Sequence, residues 1–446
     1  MKHFAEIRSI ALPAIVSNIT TPILSLVDVA ITGHIGDAVY IGAIALGGTV
    51  FNILYWLFNF LRMGTSGLTA QAYGAADRRR TNLILWRSLA VGLALGIAII
   101  ALGAPCGHFV LDFMDADDST QALASHYFSI CIYGAPAVMA TYAFTGWFIG
   151  MQNSRAPMWV AIATNVVNIA VSASLVFGLG MKIEGVATGT TVAQWFGAIM
   201  AMLIILRKYS PERMPWRDIL MRSGLVSFFK INSDIFLRTA CLVAVTLWFT
   251  HAGAVKGVDI LAANALLLQL FMLFSFFMDG FAFAGEALAG KYYGGGDNTA
   301  LKTLIKSLMK IGVICALCFA VLYIVAGEQF LGLLAEDRDV LMVARRYMPW
   351  AVAVPLCGFA AFIWDGILIG LTRTRAMLIA MAAAMVIFFG MYFILYGTMA
   401  NDALWLSFCA YLATRGMAES ILYRRISKKQ ATTITNRQKA SRTQAK

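Results

Sequence analysis

The chain has 446 residues, 60% of them apolar and 13% charged, against roughly 45–50% and about 25% in an ordinary soluble domain. With a mean hydropathy of +0.75 there is too little polar surface to clothe a water-facing globule. The composition therefore points to a polytopic membrane protein and excludes collagen, low-complexity disorder, a small disulfide scaffold and a soluble enzyme.

Twelve apolar stretches long enough to cross a bilayer run at about 10–34, 42–70, 84–105, 120–150, 157–179, 184–206, 225–252, 258–288, 302–326, 341–370, 376–397 and 402–422; a span needs ~20 residues. Pro13 and Pro22 in the first, Pro136 in the fourth and Pro355 in the tenth mark expected kinks. Asp28 interrupts the first run without a small-residue cleavage site, so no cleaved leader is expected.

Basic residues fall in alternate loops. Lys2 and Arg8, Arg78 to Arg80, Arg155, the stretch 207–222, Lys291 and Lys302, Arg373 and Arg375 share one side with the tail, which the positive-inside rule makes cytoplasmic. Asp37, Asp115, Asp117, Asp118, the stretch 336–339 and Asp402 share the other, with Arg345 and Arg346 as the exception. Both termini are then cytoplasmic, in a bacterial-type inner membrane. Of the net charge of +12, much sits in the tail, where Arg424, Arg425, Lys428, Lys429, Arg437, Lys439, Arg442 and Lys446 occur without an acid. This reads as an anchor at anionic lipid headgroups and not as a nucleic-acid arm.

The sequence repeats itself. Gly146, Gly150, Arg155 and Ala156 match Gly366, Gly370, Arg375 and Ala376, every pair 220 apart. Tyr73, Gly74 and Asp77 match Tyr293, Gly294 and Asp297 at the same offset, as do Tyr127 and Tyr347, Phe51 and Phe271, and Leu68 and Leu288. The predicted fold is therefore all-α, with twelve transmembrane helices in two parallel-repeat six-helix lobes around a central cavity, which is transporter architecture. The expected divisions are an N-terminal lobe over 1–206, an inter-lobe linker over 207–223 holding Pro211 and Pro215, a C-terminal lobe over 224–423 and a basic tail over 424–446.

An acid inside a span costs at least ~2.5 kcal/mol on insertion scales, which makes each one a candidate for function. Asp28 lies about 18 residues into the first span, or ~27 Å of helix, and Tyr127, Asn168, Ser172 and Thr190 come to a similar depth on neighbouring spans. These predict a pocket in which Asp28 binds and releases a coupling ion while Pro13 lets its helix bend. The structural alternative is a protonated Asp28 that only hydrogen-bonds its neighbours.

In the second half, Asp234 and Arg238 are four apart, Asp279 and Glu286 seven apart, and Asp365 lies late in the tenth span. They suit a gate, a second ion site or a static salt-bridge cluster. Asp279 is the repeat counterpart of Asn59, and Arg62 falls near the same level. No phosphate-binding loop, zinc-protease motif, nucleophile elbow or metal-ligand cluster occurs. No cofactor, no nucleic-acid partner and no enzyme activity are expected.

Taken together, Ile10-Ala11-Leu12-Pro13 leading to Leu26-Val27-Asp28, Gly33-His34-Ile35-Gly36, Leu61 through Gly67, Gly146 through Arg155, Asn232 through Thr239 and Asp279 through Leu288 resemble the multidrug and toxic compound extrusion (MATE) transporters, in their DinF-like branch. The resemblance implies a monomeric secondary antiporter that exports amphipathic, often cationic compounds by alternating access, driven by inward H⁺ or Na⁺. It carries the N-lobe acid onto Asp28, the bending proline onto Pro13, and supporting polar positions onto Tyr127, Asn168 and Thr190. Where relatives with a second N-lobe acid carry Asn-x-x-x-Asp, this chain has Asn168 followed by Ser172, which favours H⁺ over a Na⁺ site rich in hard oxygens. A flippase for a lipid-linked precursor, from the same broader superfamily, is the alternative.

Overall fold

In a bilayer the backbone has no water to bond, so apolar runs of this length satisfy their N–H and C=O groups as helices. The computed structural model describes the backbone of residues 2–33, 38–112, 117–335 and 337–444, with side chains over the same ranges except at 2, 21–26, 28–30, 32–33, 38, 104–112 and 429–444. Asp37, Asp115, Glu336, the side chain of Asp28 and the side chains of the tail after Lys428 lie outside the described residues.

The elements are α1 (Lys2–Gly33), α2 (Ala38–Phe58), α3 (Phe60–Gly74), α4 (Arg78–Asp112), α5 (Asp118–Cys131), α6 (Ala135–Gly150), α7 (Arg155–Ala173), α8 (Ile183–Tyr209), the short α9 (Trp216–Ile219), α10 (Arg222–Ala254), α11 (Val258–Gly294), α12 (Asn298–Leu334), α13 (Arg338–Gly370) and α14 (Thr374–Gln444). The expected second span is thus broken at Asn59 into α2 and α3. The fourth breaks at a 3₁₀ turn, Ile132–Gly134, after which Pro136 opens α6 where its missing N–H costs nothing. Pro349 and Pro355 stay inside α13. In α14 two helices meet at Ala400, whose φ of 48° and ψ of −120° are not helical.

Ten helices or joined helices among the described residues are long and apolar enough to cross a membrane, and the one spanning 374–428 contains the break at Ala400. With α1, the fold is the expected all-α integral membrane fold of twelve transmembrane helices in two parallel repeats. The repeat extends to turn geometry. Ala76 is left-handed (φ 55°) and Asp77 Oδ1 accepts from Arg80 N at 2.9 Å; 220 residues on, Gly296 is left-handed (φ 75°) and Asp297 Oδ1 accepts from Ala300 N at 2.8 Å. Gln152 (φ 63°) and Thr372 (φ 51°) repeat in the same way.

Contacts divide the chain into two units. The first comprises Met1–Thr239, Asp279–Ile305 and Ile369–Thr372, and the second Ala240–Met278, Lys306–Leu368 and Arg373–Lys446. In the first, Trp147 and Phe148 anchor a core with Leu85 and Ile205, and the indole N–H of Trp147 donates to the Thr81 carbonyl at 3.1 Å. The end of α11 packs on α3 in reciprocal fashion. A Cβ on Gly74 would run into the Lys291 carbonyl and one on Gly294 into the carbonyl of Gln71, the repeat counterpart of Lys291, while Gly290 packs on its own counterpart, Ala70. Such reciprocity is what a two-fold relation between repeats produces. In the second unit, Phe249, Phe274, Phe388 and Trp405 are fully buried. There Asn264 and Asn401 exchange hydrogen bonds of 2.9 and 3.1 Å, and Trp405 donates to Asn264 at 2.9 Å.

Candidate functional site

Pro13 has no N–H, so the carbonyl of Ser9, four residues back in α1, loses its helical partner. Ser154, at the head of α7 and 3% exposed, sits at this point: its hydroxyl donates to the neighbouring Ile10 carbonyl at 2.8 Å and lies 3.5 Å from that of Ser9. Two turns after Pro13, Asn165 Nδ2 donates to the Thr20 carbonyl at 3.1 Å. These contacts join residues 144 and 145 apart, so α1 and α7 run side by side in step. At 1.5 Å per residue on each helix, the backbone of Asp28 comes level with Ser172.

Around that level α7 and α8 form a buried polar group. Asn168 Nδ2 donates to Thr190 Oγ1 at 3.2 Å, and Ser172 Oγ, one turn on, donates to Asn168 Oδ1 at 3.3 Å. Asn168 and Ser172 are buried and Thr190 half-buried. Gly189 lets α8 approach, since a Cβ there would strike the Ser172 hydroxyl. Every group in this hydrogen-bonded set is neutral. Tyr127 is buried on α5, with Gly47 of α2 packed on its ring.

A second arrangement centres on Arg62. Its Nε donates to Asn59 Oδ1 at 3.1 Å across the α2–α3 break, its Nη1 lies 3.4 Å from Glu286 Oε2 on α11, and its guanidinium stacks 4.3 Å from the Phe283 ring. Arg62 is 8% exposed and Glu286 1%, so the pair is shielded from water and salt. Asp234 and Arg238 are buried one turn apart on α10, and Asp279 is half-buried on α11. Asp365 belongs to the second unit, where Arg415 pairs with it, stacks 5.8 Å from Phe362 and is followed one turn later by the fully buried Glu419.

Sequence reasoning missed Arg415, Glu419 and Ser154. The signal for the first two was present: an Arg and a Glu four apart inside the twelfth apolar run break the same rule that singled out Asp28. Ser154 offered none, because its role depends on which helix lies opposite.

Outside the spans, the start of α1 is tied to the end of α11. The Tyr292 hydroxyl donates to Glu6 Oε2, Lys291 Nζ lies 3.3 Å from Glu6 Oε1, and His3 Nδ1 is 3.0 Å from the Tyr292 hydroxyl. Burial works to raise the Glu6 carboxyl, but Tyr292 and Lys291 together outweigh it and hold the group below its ordinary range. Asp117 caps α5, and the Ser119 and Thr120 hydroxyls with the Thr120 N–H keep its carboxyl low. Among the described residues no set of three or more His, Cys, Asp and Glu side chains is placed to hold a metal.

Fold and repeat define an all-helical, multi-pass membrane protein of the kind that carries solutes. The MatE family profile matches the chain twice, over residues 13–174 and 234–394, at the offset of the internal repeat. DNA damage-inducible protein F of Escherichia coli strain K12 is 35% identical over 423 residues, covering 93% of this chain and 91% of that protein. Multidrug export protein MepA of Staphylococcus saprophyticus is 23% identical over 82% of this chain and 80% of its own. A solved structure of a MATE protein in the bent conformation superposes with a TM-score of 0.87 at 18% identity, covering 97% of this chain and 98% of that one. The chain belongs to the MatE family, whose members are transporters and not enzymes.

Proposed function

We propose that the protein is a secondary antiporter that exports amphipathic, drug-like or endogenous cationic compounds against an inward flow of H⁺. Asp28 takes the proton and gives it up, Pro13 lets α1 bend between the two states, and Asn168, Ser172, Thr190 and Tyr127 shape the surrounding pocket. Six-helix lobes over 1–206 and 224–423, joined by a linker over 207–223, rock to alternate access, with both termini and the 424–446 tail on the cytoplasmic side of a bacterial inner membrane. The unit of function is the monomer, and no cofactor enters.

The observation that carries this reading is the register of α1 against α7, by which the backbone of Asp28 comes level with the hydrogen-bonded Asn168, Ser172 and Thr190. Taking up or giving up a proton changes the charge of a carboxylate, and with it the cost of burying the group. H⁺ fits better than Na⁺, since Ser172 stands where a second carboxylate would supply the extra hard oxygens a metal cation needs. Arg62 and Glu286, paired where the repeats cross, suit a contact that fastens one state.

The test is efflux from reconstituted vesicles under separate H⁺ and Na⁺ gradients. Wild type should respond to the H⁺ gradient, and Asp28→Asn should respond to neither. Transport by Asp28→Asn that still follows an imposed gradient would remove the coupling role.

A further inference from the structure

A groove of about 1000 Å³ opens on the first unit between the α2–α3 break and the start of α10. Its walls are apolar, with Phe58 and Phe60 on one side and Val226, Phe229 and Phe236 on the other, and Val226 and Phe229 are 59% and 49% exposed. Arg222 and Lys230 are its charged lining residues, and none of the lining residues is acidic. The acid of the preceding short helix, Asp218, is already engaged by Arg79 at 3.0 Å.

We propose that this groove is a binding site for one anionic phospholipid of the leaflet on the basic side of the protein, cytoplasmic in the orientation proposed above. Its dimensions fit. From Arg222, the first residue of α10, to Phe236 is 14 residues, or ~21 Å of helix, about half of the ~30 Å hydrocarbon core plus a headgroup layer. Arg222 stands at headgroup depth as the partner of the phosphate. Lys230, ~12 Å further along, is exposed and lines the same groove, where its stem can carry the ammonium part of the way toward that layer. An acyl chain then lies over the phenylalanines. Apolar walls alone would be ordinary for a lipid-facing surface. A concave site with a cation at its mouth, a second along its wall and no acid in its lining selects a chain with a negative head.

The seat touches the transport machinery at one point. Phe58 and Phe60 flank Asn59, which holds the Arg62 guanidinium on its way to Glu286, so a bound chain braces the break from which that pair is aimed.

Native mass spectrometry of the full chain, released from mixed micelles of phosphatidylglycerol and phosphatidylcholine, tests the site without requiring transport, so its outcome does not depend on the antiport reading. Each cation near a surface favours anionic lipid by about fivefold, so one retained phosphatidylglycerol should be preferred by about twenty-five-fold. Arg222→Gln/Lys230→Gln should bring the two lipids to parity, and Ser233→Trp, which fills the groove, should lose both; size-exclusion profiles matching wild type establish that each variant is folded. Equal retention of the two lipids by wild type, or an unchanged preference in Arg222→Gln/Lys230→Gln, overturns the proposal. Displacement of the lipid by ethidium would assign the groove to transported cations and overturn it as well.

Discussion

Where α3 meets α11, Arg62 and Glu286 cancel each other's charge at 3.4 Å, whereas along α7 and α8 the neutral side chains of Asn168, Ser172 and Thr190 bond to one another. Both regions are buried in the same unit and both carry polar groups that lipid disfavours. One meets the cost of burial internally, with opposite charges and an amide acceptor at Asn59. The other is a set of neutral amide and hydroxyl groups bonded to one another. A closed pair can hold a conformation; a carboxylate that exchanges its proton, as proposed for Asp28, can respond to a gradient. The repeat sharpens the contrast, because the counterparts of Arg62 and Glu286 are Ala282 and Ser66. Duplication preserved the helices and turns while the charges diverged.

The pair should show its closure most strongly when half of it is removed. Arg62→Gln or Glu286→Gln leaves a buried charge without its partner and should lower stability by about 3–5 kcal/mol, whereas the double change to Met recovers most of the loss. Thermal unfolding in detergent reads this directly. Additive losses in the double variant would mean that the two residues act separately.

The reciprocal contact of α3 and α11 predicts a smaller and symmetric effect. Gly74→Ala and Gly294→Ala each push a methyl into a backbone carbonyl of the opposite helix, and each should destabilise by about 1–3 kcal/mol. A large cost at one position and none at the other would break the two-fold description of the crossing.

Much of this was legible in the residues. The offset of 220 came from glycines, an arginine and an aspartate near loop ends together with aromatic and aliphatic residues inside the spans; close approach at Gly74 and Gly294 and Asx capping at Asp77 and Asp297 leave few alternatives there. Asp77 and Asp297 were found by identity and turned out to make the same hydrogen bond. The pairing of charges was less readable. The sequence places Glu286 beside Asp279 on its own helix, but it pairs with Arg62, 224 residues away, and Asp365 pairs with Arg415 of α14. Helix rotation decides such partners, and in lipid the apolar residues surround a helix on all sides, so hydrophobic periodicity does not reveal which face looks inward. Ser154 was illegible for the same reason.

Ser154→Ala should have the mildest effect of the set. It removes the side-chain hydrogen bond to the Ile10 carbonyl near Pro13 at about 1 kcal/mol, seen as a small drop in melting temperature and faster proteolysis near the start of α1. No change in either would remove Ser154 from the account of how α1 is braced.

The coupling role proposed for Asp28 makes the most direct demand, because an acid that exchanges a proton for substrate must release the one as it takes the other. Proton release on adding ethidium to detergent-solubilised protein in weak buffer should approach one H⁺ per bound ethidium in wild type and fall to none in Asp28→Asn, which still binds the dye. Equal release from the two proteins, or none from wild type at any pH where ethidium binds, would contradict the assignment of Asp28 as the coupling group.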